Sequence, residues 1–414
     1  MNLAELQKLA ESHRAEFLDL KFCDLLGVWH HMTLPIAALK PSLFEQGVGV
    51  DGSSLPGFSS IERGDMILIP DTATAFMDPF FDRPTLSMIG DVMESADRIL
   101  PYSRNPRRVA ADAERFLQAA FPGVQCILGP EFEFYVFDKV NFFQGAESAF
   151  YHLDSVEADW SAAADEESLG FKIPHKKGYH IAPPMDRTFN LRSELAVLLA
   201  DVGVHLKYHH HEVGSGGQHE IEVEFSPLRR MADLSMLVKY IIKNHCFRRG
   251  KSATFMPKPL FNEPGSGLHV HQYLADANGS LFYDKNGPAM LSETGLHFVG
   301  GLLKHVDALL AFTNPSTNSF KRLVPGFEAP IIGSYSMGNR TACIRIPGYQ
   351  RDPRKMRFEF RPPDGTMNFY LAYAAMLMAG LDGIKRKLDP GAPLDRNADH
   401  LTPEELKAHH QLPT

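Results

Sequence analysis

The sequence predicts an α+β protein with two domains, and three observations carry that prediction. Four segments alternate apolar and charged residues with period two, the pattern of strands with one face in a core. They are "CILGPEFEFYVFD" (126–138), "HEIEVEFS" (219–226), "GLHVHQYL" (267–274) and "RFEFRP" (357–362). Helical-period segments lie around and between them: "RSELAVLLADVGV", "ADLSMLVKYIIKNHCF", "GLHFVGGLLKHVDALLAFT" and "NFYLAYAAMLMAGLDGIKRKL". That mixture argues for a mainly antiparallel sheet backed by helices. Finally, 414 residues is long for a single core.

Taken in order, residues 3–15 read as an amphipathic helix and "EFLDLKFCDLLGVWHHMTLP" as extended chain. A glycine-rich loop, "EQGVGVDGSSLPGF", precedes a further extended segment, "DMILIPD". "NPRRVAADAERFLQAAF" is a helix whose start is written locally: Asn105 caps it and Pro106 suits its first position. A small N-terminal α+β unit ends just before that helix, so the domains are expected to span residues 1–103 and 104–414. In the last helical segment the methionines and aromatic residues read as core.

Composition narrows the function. With 42 basic and 50 acidic residues the formal charge is −8, and no basic run offsets it, which argues against nucleic acid as a partner. No apolar stretch approaches a membrane span, and the N-terminus lacks the apolar block of a signal peptide. Cys23, Cys126, Cys246 and Cys343 are widely spaced, as expected of reduced, buried thiols in a cytoplasmic protein. A G-x-x-x-x-G-K-[ST] phosphate loop, a G-x-S-x-G elbow and an H-E-x-x-H zinc motif are all absent.

The charged strand faces are unusual. Glu131 and Glu133 share one side of their strand, with Phe132 and Phe134 on the other. Glu220, Glu222 and Glu224 share a face, as do His269 and His271, and as do Arg357, Glu359 and Arg361. A wet sheet face usually mixes Lys, Thr, Ser and Gln, whereas these faces hold almost only Glu, His and Arg. Crowded carboxylates repel one another unless a cation lies between them. Carboxylate with imidazole suits divalent ions of the Mg²⁺ or Mn²⁺ type, and arginine suits phosphate or carboxylate. Two readings stay open at this point: a two-metal phosphoryl-transfer site, or polar faces on a structural sheet. In "HHHEVGSGGQHE" (209–220) a histidine run and a glycine-rich turn flank Glu212 and Glu220. Taken alone, that stretch also reads as a solvent loop.

An ordered series of segments resembles glutamine synthetase of the bacterial and archaeal type I class over nearly the whole chain. The series runs through "VDGSSLPGF" (50–58), "GPEFEFYVFD" (129–138), "KKGYHIAPPMD" (176–186) and "HHEVGSGGQHEIEVEF" (210–225). It continues through "FMPKPLFNEPGSGLHVH" (255–271), "KRLVPGFEAP" (321–330), "GNRTACIRIP" (338–347) and "MRFEFRPPDGTMN" (356–368). The resemblance implies a small N-terminal β-grasp domain and a larger catalytic domain on an antiparallel half-barrel sheet flanked by helices. It implies a homododecamer of two stacked hexamers, with each active site completed by the neighbour's N-terminal domain. Its chemistry is ATP-dependent ligation of ammonia to the γ-carboxylate of glutamate through γ-glutamyl phosphate, with two or more Mg²⁺ or Mn²⁺ ions.

Carried over by position, the resemblance assigns Glu133, Glu212 and Glu220 to a metal on the substrate side. It assigns Glu131, His269 and Glu359 to a metal on the ATP phosphates. Gly265, Arg322 and Arg361 match glutamate-binding positions. Glu328 matches a flap carboxylate that takes a proton from the incoming ammonium. Asp51, Ser54, Tyr179 and Glu212 match an ammonium pocket, Asp51 and Ser54 arriving from the adjacent subunit. Arg340 and Arg345 match phosphate contacts, and His210, His271, Tyr273, Arg354 and Arg357 fall near the nucleotide.

The chain also departs from that pattern. Pro264 stands where the family usually has Asn, Tyr273 where a small serine is common, and Lys207 where an acid is common. "ADHLTPEE" lacks the tyrosine that adenylylation modifies in some relatives, and the chain stops at "HHQLPT", where relatives continue, so a truncated catalytic domain is expected. These departures leave two alternatives: a γ-glutamyl–amine ligase of the same fold, and a catalytically idle structural or regulatory homologue. The complete set of metal-ligand positions speaks against the idle form.

Overall fold

Alternation of apolar and polar residues builds two sheets, one in each half of the chain. The computed structural model describes residues 1–95, 100–161 and 169–413. In the first half, β1 (Phe17–Cys23), β2 (Trp29–Pro35), β3 (Val48–Asp51), β4 (Asp65–Pro70), β5 (Phe76–Met77) and β6 (Thr85–Glu94) form one sheet. Its order is β2-β1-β6-β4-β3, with β5 beside β6. Only β1 and β6 run parallel. The helix Leu3–Ser12 starts in a reciprocal cap between Asn2 and Glu5 and buries Leu6 and Ala10 in this unit's core. This is the β-grasp domain.

The second sheet is centred on the long strand β7 (Gln125–Phe137), which continues into an exposed hairpin, β8 (Lys139–Gln144) and β9 (Ala149–Asp154). Next come β10 (Leu206–His211), β11 (Gln218–Val223), β12 (Ser226–Pro227) and β13 (Ser252–Thr254). β14 (Val270–Asp276), β15 (Gly279–Ser280), β16 (Tyr335–Met337), β17 (Ile344–Ile346) and β18 (Phe358–Phe360) follow. The path β10-β11-β7-β14-β18-β17-β16 is antiparallel except for its last pair, and off that path β12 and β13 pair with β7 and β15 with β14.

Register turns this curled sheet into a platform. Glu133 of β7 lies opposite Glu220 of β11, and Glu131 opposite Glu222. His210 of β10 lies opposite Glu220, His271 of β14 opposite Glu359 of β18, and Arg345 of β17 opposite Glu359. The other face is apolar: Phe132 meets Phe369 and Phe134 meets Phe255. The helices Pro106–Ala120, Phe189–Asp201, Leu228–Arg248, Glu293–Lys304 and Phe369–Arg386 supply the core behind it. Asn105 caps its helix as expected, accepting from the Arg107 backbone N–H.

Two features differ from the sequence expectation. "GLHFVGGLLKHVDALLAFT" is not one helix but two, Glu293–Lys304 and Val306–Thr313, bent by 73°. His305 stands at the break, where its ring meets Asp382 on the Phe369–Arg386 helix at 2.8 Å. The bend lets both pieces bury apolar faces in the same core. Gly301 makes the first piece fit, because a Cβ there would stand 2.2 Å from the Ala379 carbonyl oxygen. The β8–β9 hairpin had no sequence signal, and Phe142, Phe150 and Tyr151 are exposed on it. Among the described residues no single helix is long and apolar enough to cross a membrane. All four cysteines are free and buried.

Arg107 ties the halves together. Its buried guanidinium donates to Asp71 (2.6 Å) and Asp91 (2.7 Å) from the first sheet and to both oxygens of Asp233 (2.9 and 3.0 Å) from the Leu228–Arg248 helix. Tyr370 donates to Asp233 as well, at 2.8 Å. Removing one member of such a group strands the remaining charges. Arg107→Met is therefore expected to destabilise the fold by about 3–5 kcal/mol, read as a lowered denaturation midpoint. A midpoint equal to that of the unaltered protein would show the ion group to be dispensable.

Candidate active site

The charged strand faces converge on a cleft of about 380 Å³. Glu131 and Glu133 from β7, Glu220 from β11, Glu212 and His210 from the β10–β11 segment, and His269 just before β14 line one wall. Arg322, Glu328, Arg340, Arg345 and Arg361 line the same cleft, and Tyr179 and Gly265 complete it. Strand backbone holds Glu131, Glu133, His210, Glu220 and Arg345 in place, and the others come from segments outside the strands, Arg322 from the end of the Thr317–Arg322 helix. Glu131 and Glu133 are only 7% exposed, which replaces the picture of a half-wet strand with that of a buried charged wall.

Each acid has its own anchorage. Glu131 accepts from His271 Nε2 (2.8 Å) on one oxygen and faces His269 Nδ1 (3.0 Å) with the other. His269 Nδ1 also lies 3.6 Å from Glu359 and 3.7 Å from Glu133, so it sits among three carboxylates. Glu133 accepts from the Gly267 backbone N–H at 2.7 Å. Glu359 is fully buried between Arg345 and Arg361, both of which pair with it. His210 lies 3.3 Å from Glu220 and 3.6 Å from Glu212.

The electrostatics follow from that crowding. Burial, then Glu220 and Glu133, push the Glu212 carboxyl well above the usual carboxylate range. Burial, then Glu131 and Glu133, do the same to Glu220. Burial also works on Glu131, but His271 and His269 outweigh it and hold that carboxyl well below the usual range. For Glu359 burial is again outweighed, chiefly by Arg361, and its carboxyl is lowered. Burial lowers His210 and His269, leaving both imidazoles neutral and able to coordinate.

Two groups of side chains offer ligand atoms within 4.8 Å of one another: Glu131, His271 and Glu359, and His210, Glu212 and Glu220. Glu212 Oε2 is buried and accepts no hydrogen bond. Oxygen-rich donors with one imidazole, carrying repelling carboxylates and an unsatisfied oxygen, fit a hard or borderline divalent cation. The sequence expectation grouped Glu131 and Glu359 with His269, and Glu212 and Glu220 with Glu133. The two remaining positions of those groups sit beside them, with His269 facing both sets.

Residues expected near the nucleotide divide. Tyr273 and Arg357 line an adjoining cleft of about 620 Å³ with Lys207, Glu222 and Phe225, while Tyr208 and Tyr349 border both clefts. His271 is instead fully buried behind Glu131, and Arg354 is an exposed side chain near Asp352, outside both linings. Lys207 pairs with Glu222, and its ammonium lies 4.0 Å from the Phe225 ring centre. Asp51 and Ser54 are not in this cleft: they form an exposed turn of the first sheet, in which Ser54 donates to Asp51 at 2.7 Å. Tyr208, Tyr349 and Lys176 also line the main cleft, and sequence reasoning passed over them. Lys176 opens the "KKGYH" motif and was findable there, whereas neither tyrosine stands in a distinctive pattern.

Comparison with known proteins agrees with this geometry. Residues 14–95 match the family described as glutamine synthetase, beta-grasp domain, and residues 103–414 match glutamine synthetase, catalytic domain. A glutamine synthetase of Mycobacterium bovis is 47% identical over 412 residues, which span 98% of this chain and 86% of that protein. One from Frankia alni is 47% identical over 400 residues, 96% of this chain and 84% of the relative. Among solved structures, Plasmodium falciparum glutamine synthetase superposes with a TM-score of 0.88 at 31% identity, covering 97% of this chain and 78% of its own. A GmaS/ADP complex gives 0.80 at 28% identity, covering 99% and 87%.

Because Glu212 and Glu220 are raised, protons compete with a cation for them. Affinity for Mg²⁺ or Mn²⁺ should rise with pH from the ordinary carboxylate range upward, with protons released on binding. Thermal stabilisation by added Mn²⁺ should accordingly be larger at pH 8 than at pH 6, and the pH difference should shrink in Glu220→Gln. A pH-independent effect would count against these carboxylates as ligands.

Proposed function

Because this chain belongs to the glutamine synthetase family, we infer that it is a glutamate–ammonia ligase. It uses ATP to phosphorylate the γ-carboxylate of L-glutamate, and ammonia then displaces the phosphate to give glutamine, ADP and phosphate. The family depends on divalent metal ions. The observation that carries the reading is the buried row of glutamates across β11, β7 and the neighbouring strands, sharing one cleft with several arginines.

Glu133, Glu212 and Glu220 would hold a cation on the substrate side, and Glu131, His269 and Glu359 one on the ATP side, with His210 and His271 at their flanks. Such ions would supply neutralising charge for the triphosphate and the acceptor carboxylate. Arg345 and Arg361 both pair with Glu359, Arg361 also donates to the Glu328 carbonyl, and both line the cleft where phosphoryl oxygens or substrate carboxylates would bind. Arg340 joins them in the same cleft. Arg322 and Gly265 frame the glutamate, although Arg322 already donates to the Pro362 and Pro363 carbonyls, at 2.8 and 3.2 Å. Its larger task is to stiffen the floor beside His269, which its guanidinium meets at 3.2 Å. Glu328 takes the proton that ammonium sheds, and Tyr179 and Glu212 hold that ammonium. His210, Tyr273, Arg354 and Arg357 serve the nucleotide side.

Asp51 and Ser54 reach a neighbouring subunit's cleft in a homododecamer, and their exposure on a well-ordered turn suits that task. Residues 1–103 and 104–414 are the working domains, and the site of action is the cytoplasm. A small organic amine as acceptor is the second reading. Pro264, on the cleft wall, offers no side-chain amide to a substrate, and its carbonyl is taken by the Tyr135 hydroxyl at 2.7 Å.

Phosphate release from ATP and glutamate with Mg²⁺, measured without amine and with ammonia, methylamine or putrescine, decides the acceptor. Ammonia-dependent release is expected, and release only with organic amines would overturn the ammonia reading. Glu131→Ala should raise the KM for ATP, and Glu133→Ala the KM for glutamate and ammonia, by at least about tenfold, the weight that even supporting groups of metal ligands carry. Identical defects in both variants would refute the division between the two sides.

A further inference from the structure

Loop 326–328 carries Glu328, whose backbone sits in the left-handed region at φ 53°, two residues after Gly326 at φ 83°. A residue with a side chain resists that conformation, so something must hold the loop there. Its neighbour Phe327 meets two ammonium groups: Lys258 Nζ lies 3.5 Å from the ring centre and Lys176 Nζ 3.9 Å. Neither lysine pairs with a carboxylate among the described residues. Lys258 donates instead to the Glu263 carbonyl at 2.6 Å, and Lys176 to the Gly326 carbonyl at 3.4 Å. The backbone of Lys258 is pinned in turn, since its N–H donates to Asn318 Oδ1 (2.7 Å) and its carbonyl accepts from Asn318 Nδ2 (3.1 Å). The Glu263 carboxylate completes the support by binding His175 (2.6 Å) and the Ser215 hydroxyl (2.8 Å).

We propose that Lys258 is a positioning residue for the ammonia step: through cation–π contact with Phe327 it holds loop 326–328 so that Glu328 faces the cleft. Two cations crowded at one ring repel unless the ring's negative face offsets them, so the aromatic character of residue 327 is required and not merely its bulk. The Glu328 carbonyl accepts from Arg361 at 3.0 Å, which fixes the other end of the same segment against an arginine assigned to the glutamate. The latch thus ties the ammonium side of the cleft to the glutamate side. This inference rests on the reading of Glu328 as the base for the incoming ammonium.

Lys258 does not line the main cleft, so changing it leaves the substrate contacts in place. The test measures phosphate released and glutamine formed, at saturating ATP and glutamate, for Lys258→Met, Lys258→Arg, Phe327→Leu, Phe327→Tyr and Glu328→Gln. Lys258→Met and Phe327→Leu should each raise the ratio of phosphate to glutamine, as the acyl phosphate is lost to water. The rise expected is roughly 3- to 30-fold, the range of a partly desolvated cation–π contact, with the KM for ATP little changed. Lys258→Arg and Phe327→Tyr, which keep a cation and a ring, should restore coupling. The proposal is overturned if Lys258→Met stays coupled while Glu328→Gln does not, or if Lys258→Arg is as defective as Lys258→Met. Full coupling in Glu328→Gln would instead remove the role given to Glu328.

Discussion

The constraint on which the rest depends is the mutual repulsion of carboxylates held in a buried wall. Glu212 and Glu220 stand close enough to neighbouring carboxylates that both are pushed well above the usual carboxylate range, a repulsion that a cation between them relieves. A flexible loop would relieve such strain by moving. Strands β7 and β11 cannot, because Glu131, Glu133 and Glu220 are fixed by the ladder and by an aromatic face locked into helices, and Glu212, just past β10, is tied to Gln218 through its backbone N–H. The sheet is therefore less a container for the site than the device that keeps its charges from separating.

Around that wall, the supporting contacts sort the acids by character. Histidines pull Glu131 down and arginines pull Glu359 down, whereas burial and neighbouring carboxylates push Glu212 and Glu220 up even though His210 stands beside both. The same residue type thus becomes a standing anion in one place and a proton-competing ligand a few ångströms away. Arginines serve twice, since Arg345 and Arg361 both hold Glu359 and line the cleft. Arg322 goes the other way and spends its donors largely on backbone carbonyls.

How much of this could be read beforehand depended on distance along the chain. Period two announced which residues share a face, so the pairing of Glu131 with Glu133, and of Arg361 with Glu359, was legible from a few neighbouring letters. The Asn105 cap was legible for the same reason, being a local contact. Register between strands was not: that Glu133 faces Glu220, or that His271 sits behind Glu131, is set by packing among segments far apart in sequence. The break at His305 answers to Asp382, on another helix, and no proline or glycine marks the position. The β8–β9 hairpin gave no sign because β8 is exposed throughout and β9 through His152, so neither strand carries an apolar face turned into a core. Family resemblance supplied roles where spacing alone offered only chemistry.

Arg107 carries a consequence of another kind. It lies on a helix of the larger half, yet two of its three acidic partners, Asp71 and Asp91, belong to the smaller one. Modular descent treats the two halves as exchangeable parts, each inherited with its own core. A chimera that joined a first half carrying both aspartates to a second half lacking the arginine would bring together two acids and Asp233 without the one guanidinium that pairs with all three. The seam between the parts is thus written on both sides, and recombination along it favours parts that carry all four members of the ion group.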